Sequence, residues 1–240
     1  MRHALSETTA KGSETLETIV RERVRDDVLS GILPPNSRLR IRTLSIRYGA
    51  GASPIREALS RLVPEGLITI DRNRGFRVTP LSIEELREIT EMRQILEVEA
   101  FRRSIALGDD EWEGHIVSAF HQLVKCIDHP LDGQAEQRLR WEERHHAYHR
   151  SLVDACGNSK LLHAIDRIYQ NLARYRSVLQ INDLEPGVMR KIHEELFEYA
   201  IARNAKAGSD ALRCHFDVNV EQVRDTLAKD PRLFDMLADA

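Results

Sequence analysis

Apolar side chains recur every three or four residues along most of the chain, which is the spacing of one buried face on an α-helix. In the first third, the stretch 20–30 carries three valines at steps of four and predicts a first helix ending near a Ser-Gly pair. The stretch 41–48 predicts a second short helix, which the glycines that follow it bring to an end. A third helix is predicted from the apolar positions of "GASPIREALSRL", which begins at Gly51.

The third helix has two different faces. Its apolar residues form one stripe, while Ser53, Arg56 and Ser60 fall together on another face. We expect Ser53 to cap this helix, with Pro54 at the first helical position, where a missing N–H costs nothing. The apolar face then packs on the first two helices, and the arginine and hydroxyls remain available to a partner.

Alternation replaces helical spacing after Gly66, in "LITIDRNRGFRVTPLS". The apolar positions predict two strands around a polar hairpin tip at 71–75. Two helices, a turn, a third helix and a basic hairpin are the outline of a winged helix-turn-helix. In that arrangement the third helix enters the major groove of DNA and the hairpin, or wing, lies along the backbone or minor groove.

The remainder of the chain is helical throughout on its pattern. Ser82 and Glu85 are three residues apart and form a capping box at the start of the fourth helix, which we expect to end at Gly108. Breaks at proline, glycine and asparagine predict five more helices. They run over roughly 110–128, 133–156, 159–182, 187–203 and 207–228. The predicted fold is therefore mainly α, with the winged helix-turn-helix at 15–80 and a six-helix bundle at 81–230, large enough to hold a pocket.

Composition narrows the class of protein. Hydrophobic residues make up 42% and charged residues 30% of the 240, which is typical of a globular protein. No apolar run approaches a membrane span, and residues 1–14, expected to be flexible, lack the apolar core of a secretory signal. Three cysteines without CxxC spacing favour free thiols in a reducing cytoplasm.

Charge is distributed unevenly along the chain. Residues 1–80 carry a formal charge of +5 and residues 81–240 a charge of −8. Basic surface favours polyanions because each neutralised phosphate releases counterions. The two halves are therefore expected to have different partners, with DNA as the partner of the first.

Histidines are concentrated in "RHHAYH", where His145 and His149 are four residues apart and share a helix face. Such a pair can chelate one divalent ion, and His193 and His215 on two later helices offer further imidazole ligands. Histidines are also common on helix surfaces, so the pair alone leaves a plain structural role open.

The first third also resembles a known family. The segments "VRDDVLSGILPPNSRLR", "PIREALSRLVPEGLI" and "RNRGFRV" are similar to the DNA-binding domain of the GntR family of bacterial transcription regulators. The resemblance implies DNA contacts for Arg42, Ser53 and Arg56, the last reading guanine. At the wing it implies the same for Arg72, Asn73 and Arg74. The family often has an arginine where this chain has Ala52, which puts one base contact in doubt. An ion pair of Arg56 with Glu57 or Glu65 is the structural alternative.

The bundle resembles the ligand-binding FCD domain of the FadR-type subfamily, on "EITEMRQILEVEAFR", "YHRSLVDACGNSKLL" and "IHEELFEYAIARNAKAGSDALRCHF". The stretches "LGDDEWEGHIVSAFHQL" and "ACGNSKLL" are closest to carbon-starvation-type repressors. Many members bind a metal through an Asp and three histidines. This implies His149, His193 and His215 as ligands, with His145 standing where the family has Asp. His145 either replaces that ligand or weakens the site.

The same resemblance implies a carboxylic acid as the bound molecule. Arg93 matches an arginine inside the family's pocket, and Arg174 and Arg176 are further candidates for pairing with the acid. A bridge from Arg93 to Glu97 is the structural alternative.

The sequence therefore predicts a homodimeric, cytoplasmic bacterial repressor that binds a palindromic DNA operator and releases it on binding a small carboxylic acid. The site would also hold a divalent metal, Zn²⁺ or alternatively Ni²⁺. The rival hypothesis is a metal-dependent hydrolase that uses the histidine cluster to activate water.

Overall fold

The computed structural model describes residues 15–71, 75–129, 134–178 and 186–229. The first third contains three helices and a small sheet. These elements are α1 (Leu16–Leu29), β1 (Arg38–Leu39), α2 (Ile41–Tyr48), α3 (Ala52–Leu62), β2 (Ile68–Asp71) and β3 (Gly75–Val78). The strands form an antiparallel sheet in the order β1-β3-β2. This is the predicted winged helix-turn-helix, with β2 and β3 as the wing.

The apolar stripes recognised in the sequence form the core of this unit. The three valines of α1 are at most 1% exposed, and the apolar face of α3 is fully buried. These helices pack together with Leu44 and Tyr48 of α2 and Leu39 of β1. The opposite face of α3 is left on the surface.

Two local predictions are wrong. Helix α3 begins at Ala52, with Gly51 rather than Ser53 at the N-cap position and without a side-chain cap. Gly51 is extended, so the chain turns into the helix two residues earlier than expected. Pro54 is tolerated in the first turn because those N–H groups have no helical acceptor. The two-residue strand β1 was not predicted, because an arginine and a leucine show no alternation.

Six helices follow, as predicted. They are α4 (Ile83–Leu107), α5 (Asp110–Asp128), α6 (Gln134–Val153), α7 (Ser159–Val178), α8 (Pro186–Ile201) and α9 (Ala205–Lys229). Their shared core includes Phe101, Tyr148, Leu196 and Phe216. Among the described helices, none is long and apolar enough to cross a membrane.

The start of α4 is fixed by contacts from α7. The Ser82 hydroxyl accepts the Glu85 N–H, as the capping box predicts. The Glu85 side chain turns to Arg174 and Tyr175 instead of back to Ser82. The Ser82 N–H donates to the Tyr175 hydroxyl at 3.2 Å, so α7 completes the cap.

Helix α7 also touches the winged helix. The Arg167 guanidinium donates to the Pro64 carbonyl at 3.4 Å, just beyond the end of α3. Gly66 adopts a φ of +76°, and a Cβ there would lie 2.2 Å from the Asn171 side-chain oxygen. Glycine is therefore required at 66 both for the backbone conformation and for close approach to α7.

The packing of α9 gives a first testable prediction. A Cβ at Gly208 would lie 2.5 Å from Cε1 of the buried Phe101, so Gly208→Ala should overpack this contact. We expect the free energy of unfolding in urea to fall by about 1–3 kcal/mol. Gly114→Ala in α5 is the matched control, since its Cβ meets nothing within 4 Å. A helical glycine-to-alanine change there should stabilise by up to about 1 kcal/mol. Equal stabilisation of both variants would contradict the packing at Gly208.

Candidate functional site

Four histidine side chains from three helices converge in the core of the bundle. His145 and His149 lie on α6, His193 on α8 and His215 on α9, and none is more than 5% exposed. The Nε2 atom of His149 is 3.1 Å from Nε2 of His145 and 3.2 Å from Nε2 of His215. One nitrogen from each ring lies within 4.8 Å of those of the other three. The structure therefore brings all four predicted residues together.

Contacts around the cluster fix the ring orientations. Nδ1 of His193 is 2.7 Å from the Met189 carbonyl, which can only accept, so this nitrogen carries the proton. Its Nε2 atom then has a free lone pair, and it is buried without a hydrogen-bond partner among the described residues. Nδ1 of His145 bonds the Tyr169 hydroxyl at 2.7 Å, and Trp141 stacks on the same ring.

Burial keeps the imidazoles neutral. Desolvation lowers the pKa of His193 to about 4, and it holds the pKa values of His145, His149 and His215 well below their ordinary value. The other imidazoles and nearby guanidinium groups push the latter three further in the same direction. Neutral imidazole is the form that binds a metal.

These observations test whether a divalent metal fits the residues present. The donors are four neutral nitrogens from converging rings, and one of them is a buried lone pair without a partner. Four imidazoles suit Zn²⁺ or Ni²⁺ better than the hard cations that prefer oxygen. The donor set therefore fits such an ion, with His145 in place to act as a ligand.

Two buried arginines lie beside the histidines, and each is paired with a glutamate. Arg93 is 1% exposed, with Nε 2.5 Å from Glu97 Oε1 and the guanidinium over the Phe216 ring. Arg176 Nε donates to Glu142 Oε2 at 2.9 Å and the guanidinium lies over the Tyr169 ring. Its Nη1 is buried without a hydrogen-bond partner among the described residues. For Arg93, both the pocket position and the bridge to Glu97 are therefore present.

Arg174 is not brought to this cluster. Although buried, its guanidinium donates to the Thr79 and Pro80 carbonyls, at 3.3 and 2.8 Å, and to Glu85 at 2.9 Å. Residues two apart on a helix point in different directions, so Arg174 faces the linker while Arg176 faces the histidines. This corrects the expectation that Arg174 lines the pocket.

The DNA-facing residues of the winged helix that the structure describes are on the surface. Arg42, Ser53 and Arg56 are exposed. Glu57 pairs with Arg61 of the same helix, and Glu65 pairs with Arg25 of α1. The acids that the structural alternative assigned to Arg56 are thus engaged elsewhere.

The wing tip cannot be placed in the same way. Arg72, Asn73 and Arg74 lie outside the described residues. The strands beside them pair from Asp71 opposite Gly75.

Several residues of the histidine site were not found from the sequence. Trp141 and Tyr169 contact His145, and the Tyr148 hydroxyl donates to the His193 carbonyl at 2.7 Å. Aromatic residues at helical spacing are the ordinary signal of a core, so the sequence offers no means of separating these three from it. Glu142 was considered only as a base for the hydrolase hypothesis.

The fold and the site define a class of protein: a winged-helix DNA-binding unit joined to a helical bundle with a buried polar site. Residues 16–78 match the family of bacterial regulatory proteins named gntR, and residues 88–218 match the FCD domain. The chain belongs to the GntR family and carries an FCD domain. It is therefore a DNA-binding transcription regulator, and the hydrolase hypothesis is not supported.

Relatives and solved structures agree with this assignment. The chain is 34% identical to the HTH-type transcriptional regulator BphR of Paraburkholderia xenovorans, over 85% of this chain and 83% of that protein. It is 32% identical to the HTH-type transcriptional repressor GlaR of Escherichia coli, over 85% and 94% respectively. A GntR regulator from Rhodococcus shares the fold, with a TM-score of 0.73 at 17% identity over 87% and 97%.

The buried ion pair of α4 gives a second prediction. Glu97→Gln leaves the Arg93 charge without its compensating carboxylate in the core. We expect this to reduce the free energy of unfolding by about 3–5 kcal/mol, measured by denaturant titration without added ligand. Glu99→Gln is the control on the same helix, because Glu99 pairs with Arg102 and Arg103 near the surface. It should change stability by less than about 1 kcal/mol. A similar small effect at both positions would argue against a buried pair.

Proposed function

We propose that this regulator is a repressor whose operator affinity is controlled by a small carboxylic acid bound, with a divalent metal, at the four histidines. The observation that carries the proposal is the convergence of four buried, neutral imidazoles beside two buried arginines. A core without a ligand has little use for so many polar groups, since each costs desolvation. The winged helix of the same chain supplies the output of such a site.

His145, His149, His193 and His215 would hold the metal. Bound there, the ion would supply a Lewis-acidic centre that attracts a carboxylate. Arg176 supports acid binding because its Nη1 has no hydrogen-bond partner among the described residues, while Glu142 fixes the rest of its guanidinium. We assign the effector contact to Arg176 together with Arg93, and no longer to Arg174.

On the DNA side, we assign Arg56 to base recognition, because bidentate arginine suits the O6 and N7 acceptors of guanine. Arg42 and Ser53 are assigned to contacts at the ends of α2 and α3. Arg72, Asn73 and Arg74 of the wing are assigned to the backbone or minor groove. A homodimer would place two such units on the half-sites of a palindrome. Repression is supported by the name of the relative GlaR, and operator binding places the protein in the bacterial cytoplasm.

Helix α7 supports a route between the two sites. It contributes Tyr169 and Arg176 to the histidine site, and Arg174 and Tyr175 to the linker contacts at 79–85. An acid that contacts Arg176 would favour one position of this helix over another. The operator affinity could change only by the difference in acid affinity between those arrangements.

The metal site is tested by elemental analysis of protein purified without a histidine tag. We expect close to one divalent metal per chain in wild type and its loss in His149→Ala, which removes a central ligand. His163→Ala is the control, since this exposed histidine on α7 bonds the Ser159 carbonyl and lies outside the cluster. Wild type that holds no metal after reloading and dialysis would refute the metal site.

The recognition helix is tested by fluorescence anisotropy with a duplex selected by the wild-type protein from a random pool, at fixed salt. Arg56→Ala should weaken binding about tenfold to a hundredfold, the usual range for one bidentate base contact. Arg61→Ala, on the same helix but paired with Glu17 and Glu57, should stay within about twofold. Both variants should keep wild-type metal content. Full binding by Arg56→Ala would contradict the assignment.

A further inference from the structure

We infer that the effector is a dianion, a dicarboxylate rather than a monocarboxylate, and that the neutral side chain at His145 sets this requirement. The inference rests on the proposed function, since it assumes a divalent metal and an acid at the histidine cluster. It goes further because it follows from the charge balance of this particular set of residues.

The buried charges around the histidines cancel before any ligand binds. The positive groups that act on the imidazoles are the guanidinium groups of Arg93 and Arg176. Each is matched by its own carboxylate, Glu97 for Arg93 and Glu142 for Arg176. His146, the next residue on α6, turns instead to Asp166 at the edge of the cluster. The protein side of the site therefore has a net charge near zero.

A divalent ion changes this balance. Four imidazole ligands bind as neutral groups, so the two positive charges of the metal remain uncompensated inside the core. An uncompensated buried charge is strongly unfavourable unless a counter-charge accompanies it. A monocarboxylate would neutralise half of this charge, and a dicarboxylate would neutralise all of it.

The site also offers two separate places for carboxylates. One is the metal, which four protein nitrogens do not neutralise. The other is the unsatisfied Nη1 of Arg176, whose Nε and Nη2 are already engaged by Glu142. Arg93 is less suited to the second place, because Glu97 engages both its Nε and Nη2 and Phe216 covers its face. A molecule with a carboxylate at each end matches this pair of positions.

Metal and diacid should therefore strengthen each other's binding by the same factor, because the coupling free energy between two sites is reciprocal. Without metal, the cluster has no net positive charge to attract a dianion. A monoacid should couple to the metal more weakly.

The test is calorimetric titration of the full chain, metal-loaded and metal-free, with straight-chain acids. The probes are malonate, succinate, glutarate and adipate, compared with monoacids of equal carbon number. We expect the best diacid to bind metal-loaded wild type at least about tenfold more tightly than its matched monoacid, the effect of one charge-assisted contact. Chelator competition should show metal affinity rising with that diacid by the same factor as diacid affinity rises with metal.

His145→Asp tests the role of this residue, because it places one negative charge in the ligand set. The preference for diacid over monoacid should then shrink to about threefold or less, since a monoanion completes the balance. His145→Asn is the control with unchanged charge and should keep the diacid preference, even with weaker metal binding compensated by excess metal.

The outcomes separate the two levels of the proposal. Equal binding of monoacids and diacids to metal-loaded wild type would overturn the dianion inference and leave the acid-and-metal site standing. Failure of wild type to bind either class of acid, or to retain metal, would overturn the proposed function and this inference together. Should His145→Asp not fold, the wild-type diacid preference and its reciprocity with metal still decide the question.

Discussion

The bundle buries the guanidinium groups of three arginines, and the cost of leaving such charges without a partner determines how its interior is built. Arg93 and Arg176 each hold a glutamate beside the histidines, and Arg174 holds Glu85 and the linker carbonyls. The imidazoles meet the same constraint by remaining neutral. The interior therefore has no spare negative charge, which is why a metal bound there would require its counter-charge from the effector.

Because α7 provides two of these arginines, the constraint also ties the site to the rest of the chain. A shift of α7 that improved contacts at Arg176 would alter those at Arg174 two residues earlier. It would also alter the approach of Asn171 to Gly66, where there is no room for a Cβ. Gly66 follows the recognition helix closely, so the same rigid element bears on the linker and on the DNA-binding unit. Tight packing makes such elements favour discrete positions over continuous deformation.

Most of the fold could be predicted from the sequence, because helical and alternating spacing is local information. The valines of α1 and the apolar stripe of α3 were enough to identify the winged helix. The direction of individual polar side chains was not predictable. Arg174 and Arg176 belong to one "ARYR" segment, and only the position of α7 between the linker and the histidines decides which faces which. The cap of α3 was wrong for a similar reason, since Gly51 and Ser53 are both acceptable N-cap residues.

The two sites use arginine in opposite ways, and this follows from their solvent. On α3, Arg56 is exposed and the neighbouring acids are engaged by Arg61 and Arg25, so its guanidinium remains available to a polyanion. In the bundle, every guanidinium described above is already paired, and a small anion must compete or complement. The division of charge, +5 in residues 1–80 and −8 beyond, extends this contrast to the whole chain. A phosphate backbone is attracted to the winged helix and repelled by the bundle, so the acid site can act on DNA only through the contacts of α7 and the linker.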